Sequence, residues 1–130
     1  MSDPFTPLLA TEQVCRWQHE GIECAVHFMP ILGFMNGYCL VPDGHALEQS
    51  DEWRGHYASE SLLDVHGGVT FGPVKSEGGH VVGFDTGHAG DYSPAFRFGR
   101  RWSIDDVVAE TNRMAEQIAQ WGRSGEWVAI

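Results

Sequence analysis

Only one stretch of this chain carries helical periodicity, and that restricts the fold more than any other feature. From Ser103 onward apolar residues recur at three and four, at Ile104, Val107, Val108, Met114, Ala115, Ile118 and Trp121, the spacing of an amphipathic helix that buries one stripe. Ser103 is a good N-cap with Asp106 three residues on. Asp105, Asp106 and Glu110 suit the positive end of the helix dipole, and Gly122 is placed to end the helix. Nothing else in the sequence reads as a second helix of this kind, so the stripe is expected to pack on a sheet.

The strands come before it. Val14 to Trp17 and Ile22 to Phe28 favour strand, with His19, Glu20 and Gly21 as the turn of a hairpin. On the second of them Ile22, Cys24, Val26 and Phe28 share one face while Glu23 and His27 point away, the pattern of a half-buried strand. Phe34 to Val41 reads as a third strand stopped by Pro42-Asp43-Gly44. Leu63 to Phe71 alternates as a fourth, with Gly67-Gly68 suggesting a bulge or a place where something approaches the backbone closely, and His80 to Asp85 is a fifth after the Gly78-Gly79 turn. Residues 1 to 11 form an irregular arm, His45 to Ser61 a long polar surface loop with room for a helical turn, Thr86 to Arg101 another loop, and Glu126 to Ile130 an added edge strand. The expected architecture is α+β: an antiparallel sheet of about five strands with one long C-terminal helix packed on one face. With 130 residues, no internal repeat and no linker, residues 1–130 read as a single domain.

Charge narrows the partners. Eight Lys and Arg against 18 Asp and Glu give a net charge of −10, which argues against duplex nucleic acid, whose binding depends on neutralising phosphates. It suits a basic protein partner or solubility alone. Cys15, Cys24 and Cys39 are odd in number and lack C-x-x-C spacing, so reduced, mostly buried thiols are expected. No apolar run approaches the roughly eighteen residues of a membrane span. The start MSDPFTPLL has no basic n-region of a secretory signal, so a cytoplasmic location is expected. There is no nucleophile elbow, P-loop, dinucleotide fingerprint or H-E-x-x-H.

The stretch Asp85-Thr86-Gly87-His88-Ala89-Gly90-Asp91 places two carboxylates and an imidazole at intervals of three after a strand. In a tight turn these can face one ligand. On the preceding strand, alternation puts Asp64 and His66 on one face beside Gly67 and Gly68. Pairing of the two strands would bring His66 to Asp85 or His88. Such a cluster supports His66, His88 and Asp85 as acid–base residues, or His66, Asp85, His88 and Asp91 as ligands of a divalent metal such as zinc or manganese. The alternative is a set of loop carboxylates bonding backbone amides, with surface or core histidines. Asp64, Gly67, Gly68 and Asp91 are further candidates for ligand contact, and so is the only basic cluster, Arg97, Arg100 and Arg101, which suits a phosphate or carboxylate unless it pairs with the chain's own acids. His45 and His56 in the polar loop are weaker candidates, and the apolar residues around Met29 and Met35 read as core or hairpin cover, with an adaptable partner surface as the alternative.

Val65-His66-Gly67-Gly68-Val69-Thr70-Phe71, followed by Gly83-Phe84-Asp85 and His88-Ala89-Gly90-Asp91, resembles motifs of small proteins of bacteriophages and prophages. The likeness spans roughly residues 22 to 121, from a glycine-histidine turn like Pro42-Asp43-Gly44-His45 to the closing helix. Val81-Val82 stands where those proteins often carry an aromatic pair, and Thr86 where they carry a Cys or other small residue. The resemblance implies an accessory role for a phage or mobile element and no particular reaction. Together with short length and acidity, it leads to an expected function of binding a host component, a defence factor among the options, or a small ligand without catalysis. The competing expectation is a metal-assisted or His/Asp-dependent hydrolase. A third makes the same cluster a pocket for a nucleotide, with Arg97 to Arg101 on its phosphate.

Overall fold

A computed structural model describes residues 3–6, 8, 10–49, 63–88, 90–92, 97 and 99–128, at 49 and 122–128 the backbone alone. Five strands, β1 (Glu12–His19), β2 (Ile22–Met29), β3 (Phe34–Pro42), β4 (Phe71–Ser76) and β5 (Gly79–Asp85), form one sheet in the order β1-β2-β3-β5-β4. Every neighbouring pair is antiparallel. The helix α1 (Ile104–Val128) lies across one face. The α+β architecture expected from the sequence is the one observed. None of the helices among the described residues is long and apolar enough to cross a membrane.

The helix begins as its sequence dictates. Ser103 Oγ accepts from the Asp106 amide at 3.0 Å while Asp106 Oδ2 accepts from the Ser103 amide at 3.1 Å, a reciprocal cap. The Ser103 amide and hydroxyl hold the Asp106 carboxyl below its ordinary range. Val107, Thr111, Met114, Ala115 and Ile118 are buried against Cys24 and Val26 of β2, Cys39 and Val41 of β3 and Val82 and Phe84 of β5. Cys24 and Cys39 face each other across β2 and β3 as free thiols. Ile104, at the exposed start, does not join the core. The helix does not stop at Gly122 but runs to Val128, and so the edge strand expected from Glu126 is helical through that residue. A glycine inside a helix costs only about 1 kcal/mol relative to alanine, which neighbouring turns can carry.

Both faces of the sheet are covered. Opposite α1, Ala25, Tyr38, Leu40 and Val81 pack under Phe5 and Leu8 of the N-terminal arm. The Ser76 hydroxyl donates to the Pro4 carbonyl and so ties the arm to β4. β2 is therefore not half-buried: His27, expected to point to solvent, is 4% exposed. The arm is irregular, as its prolines suggest, but burying a phenylalanine such as Phe5 contributes about 1.5–3 kcal/mol.

Residues 63–70 are not a strand. Gly67 and Gly68 both have positive φ, at 69° and 79°, and the Gly68 amide donates to the Val65 carbonyl at 2.9 Å. That closes a tight turn where the sequence suggested a bulge, and the fourth strand starts only at Phe71. The polar loop after β3 opens with a short 3-10 helix, Ala46–Gln49, whose Leu47 is fully buried. His56 and most of that loop lie outside the described residues.

His45 is a joint and not a ligand. Its Nε2 donates to the Ile118 carbonyl at 2.9 Å and its Nδ1 accepts from the Leu47 amide at 3.0 Å, which uses both nitrogens of one neutral tautomer. Burial holds both His45 and His27 below the ordinary value of 6.5, opposed at His45 by the Ile118 carbonyl and Glu48, and at His27 by the Asp3 charge. Below that value the unfolded chain takes up protons that the folded chain resists, so stability falls as pH drops through about 6.5 and downward. Denaturant unfolding at pH 7.5 and 5.5 should show this loss, and His45→Gln should shrink it. A loss of the same size in the variant would assign it elsewhere.

Candidate functional site

The turn at 65–68 is fixed to α1 by side chains from far along the chain. The Asp64 amide donates to Gln117 Oε1 and Gln117 Nε2 to the Asp64 carbonyl, both at 2.7 Å, while the His66 amide donates to Glu110 Oε2 at 2.7 Å. Arg113 then bridges Glu110 and Asp64. Its hydrogen bond to Glu110 lowers the Glu110 carboxyl against the effect of burial, and raises the guanidinium further. Asp64 therefore serves α1 and does not sit beside His66 in a strand pattern.

Asp91 is the centre of the site. It is 5% exposed, and its amide donates to the His88 carbonyl at 2.9 Å, closing the turn after β5. Its Oδ2 accepts from His66 Nε2 at 2.8 Å and from the His88 amide at 3.1 Å, and its Oδ1 accepts from Trp102 Nε1 at 2.9 Å. Burial alone would raise this carboxyl. The bonds from His66 and Trp102 and the His66 charge outweigh it and hold Asp91 below its ordinary value of 3.8.

His88 belongs to a second pair. Its Nε2 lies 3.3 Å from Asp85 Oδ1, an ion-pair distance when the ring is protonated, but the angle makes no hydrogen bond and the nitrogen is buried without a partner. Asp85 itself accepts from Gly87 N at 2.9 Å and Thr70 Oγ1 at 2.8 Å. The two pairs touch through the imidazoles, whose centroids are 5.7 Å apart, edge to face. Gly67 is what lets them meet: a Cβ there would lie 2.2 Å from His88 Nε2, on a backbone that side chains rarely adopt. Gly67→Ala should cost about 1–2 kcal/mol and displace the His88 ring. Unfolding curves and the His88 imidazole resonances report both, and an unmoved His88 would contradict the packing described.

Trp102 is the platform for the outer part. Its ring carries His66 at 4.6 Å and the Arg100 guanidinium at 3.7 Å, and Arg101 stacks likewise on Tyr92 at 3.8 Å. Asp91 and Arg100, outside any strand, meet in an isolated parallel bridge, with Arg100 N donating to the Gly90 carbonyl. Among the described residues none of Arg97, Arg100 and Arg101 forms an ion pair, although the chain carries 18 acids. His66, Arg100, Trp102, Asp106, Glu110 and Arg113 line a cleft of about 460 Å3.

The structure thus brings His66 to Asp91 and His88 to Asp85, sets Arg100 and His66 each against Trp102, and places Gly67 against His88. Arg97 is exposed and Gly68 serves the turn. The four proposed metal ligands form two pairs and not one cage. Among the described residues, the three donors that fall within 4.8 Å of one another are Asp43, Glu48 and His80, at the other end of the sheet. Lys75 already holds Asp43 at 2.6 Å there and His80 holds Glu48 at 2.8 Å. Trp102, Glu110 and Arg113 are site residues that the sequence reading left out. The spacing of Glu110 and Arg113 on one helix face was the available signal. No family model matches the chain, and neither a curated protein nor a solved structure does.

Proposed function

We propose that this protein binds, without catalysis, a small ligand carrying a phosphate or carboxylate, a nucleotide being one such ligand, in the cleft between His66, Arg100, Trp102 and α1. The observation that carries this reading is Arg100, which stacks on Trp102 and lines one cleft with His66, and which forms no ion pair among the described residues although its charge acts on Asp106, in a protein of net charge −10. Stacking fixes the guanidinium plane while leaving its N–H groups free for a bidentate anion. The likeness to phage and prophage proteins motivates placing this binding in an accessory role, with the ligand or its carrier a host component in the cytoplasm.

Calorimetric titration with adenosine monophosphate tests it. Arg100→Ala should weaken binding about tenfold or more, the loss of a charge-assisted pair, and binding should weaken as salt rises. Equal affinity in the wild type and Arg100→Ala would refute the reading.

A second reading rests on the 2.8 Å bond from His66 Nε2 to Asp91. The bond puts the Nε2 proton on the carboxylate side and turns Nδ1 away from it, and a buried carboxylate behind an imidazole is the arrangement of a general base acting on water. This is the His/Asp-dependent form of the hydrolase reading, in which the His66–Asp91 pair acts on water directly. Release of phosphate from the bound nucleotide, reduced about a hundredfold or more in His66→Ala, would favour it over simple binding.

A further inference from the structure

A second cavity lies on the sheet face away from α1, between the N-terminal arm and the end of the sheet where β2 turns into β3. Its volume of about 420 Å3 falls in the range of roughly 300–1,000 Å3 typical of small-molecule sites. Leu8 of the arm, Met29, Phe34 and Phe71 form apolar and aromatic walls, and Thr11, Asn36 and Asp85 line it as well.

Asn36 and Asp85 are directly opposed across β3 and β5, so their side chains leave the same face with Cβ atoms about 4.5–5.5 Å apart. Asn36 is 6% exposed; its Nδ2 donates to Tyr38 Oη at 2.9 Å while its Oδ1 is buried with no partner. A buried amide oxygen left unpaired is costly and asks for a donor. Each Asp85 oxygen accepts one bond, from Gly87 N or Thr70 Oγ1, and a carboxylate oxygen can accept a second. His88, 3.3 Å from Asp85 Oδ1, is the titratable neighbour.

We propose that this cavity is a second binding site, for an arylalkyl amine whose ammonium donates to Asn36 Oδ1 and Asp85 while its ring packs among Phe34, Phe71 and Tyr38. The acidity of the chain favours a cation over an anion there. The Tyr38 and Phe71 rings already meet edge to face at 5.4 Å, and the ligand ring extends that arrangement. This site shares no lining residue with the Arg100 cleft and stands or falls independently of it.

The test is an NMR titration of the full chain with 2-phenylethylamine, with phenylacetate as a probe of similar body and opposite charge. The amine is expected to move the Asn36 side-chain amide and the Tyr38 and Phe71 ring signals, and phenylacetate to leave them. Asp85→Asn should weaken the amine about tenfold or more. Ala10→Phe, at an exposed position on the cavity rim, should block it without touching the core. Phenylacetate binding as tightly as the amine, unchanged affinity in both variants, or no Asn36 shift up to about 10 mM amine, the weak limit for a fragment, would each overturn the proposal.

Discussion

Asp91→Ala is expected to lower stability by about 3 kcal/mol or more, a fall in melting temperature of roughly 10 °C for a chain of this size. The carboxylate is 5% exposed and receives three donors, from His66, His88 and Trp102. Truncation leaves all of them without their acceptor, and the turn after β5, the 65–68 turn and the start of α1 lose their common anchor. Asp91→Asn keeps the shape and one acceptor and should cost less, while leaving His66 without its anionic partner. The pH dependence has a definite sign. Asp91 titrates below its ordinary 3.8 in the folded state, so its contribution is complete above that value and is lost as pH falls through the lower folded value. Acid unfolding of Asp91→Asn should lack this part of the decline. Wild-type stability in Asp91→Ala would mean that the hub holds nothing.

Gly37→Ala is the other large effect expected, about 3 kcal/mol, the upper part of the usual cost of overpacking. A Cβ at Gly37 would lie 2.2 Å from Thr111 Oγ1 and 2.5 Å from Phe84 Cε1. Neither neighbour has room to move: Thr111 is 0% and Phe84 1% exposed, and the Thr111 hydroxyl is bonded to the Val107 carbonyl at 2.7 Å. The added methyl pushes α1 off the centre of the sheet. Removing the obstructing hydroxyl and methyl in Gly37→Ala/Thr111→Ala should return part of the loss. Denaturant midpoints of the single and double variants measure that coupling, expected at about 1 kcal/mol or more. Additive losses would show that Gly37 and Thr111 do not meet.

What the sequence made legible was local. The hairpin of β1 and β2, β3, β5 and the capped start of α1 each follow from short-range alternation, turn residues or the Ser103 and Asp106 pair. Residues 63–70 misled because their alternation is real, while their backbone partners are Glu110 and Gln117, more than forty positions away. Burial of His27 depended likewise on where Phe5 and Leu8 came to rest, which no period in β2 records. In the site, the spacing of Asp85, His88 and Asp91 marked a turn whose side chains do face their neighbours. Which carboxylate takes which imidazole was not readable: His66 and Asp91 are joined across 25 positions, and Trp102 completes the set through an indole that no spacing rule includes.

The most direct measurement of the binding claim is an NMR titration of the full chain with inorganic phosphate at low salt, following the Trp102 indole and His66 imidazole signals in the wild type and in Arg100→Ala. Saturable shifts of both are expected in the wild type, reversed by added salt and absent from the variant. Shifts that persist unchanged in Arg100→Ala, or a wild type whose Trp102 and His66 signals do not move, would contradict it.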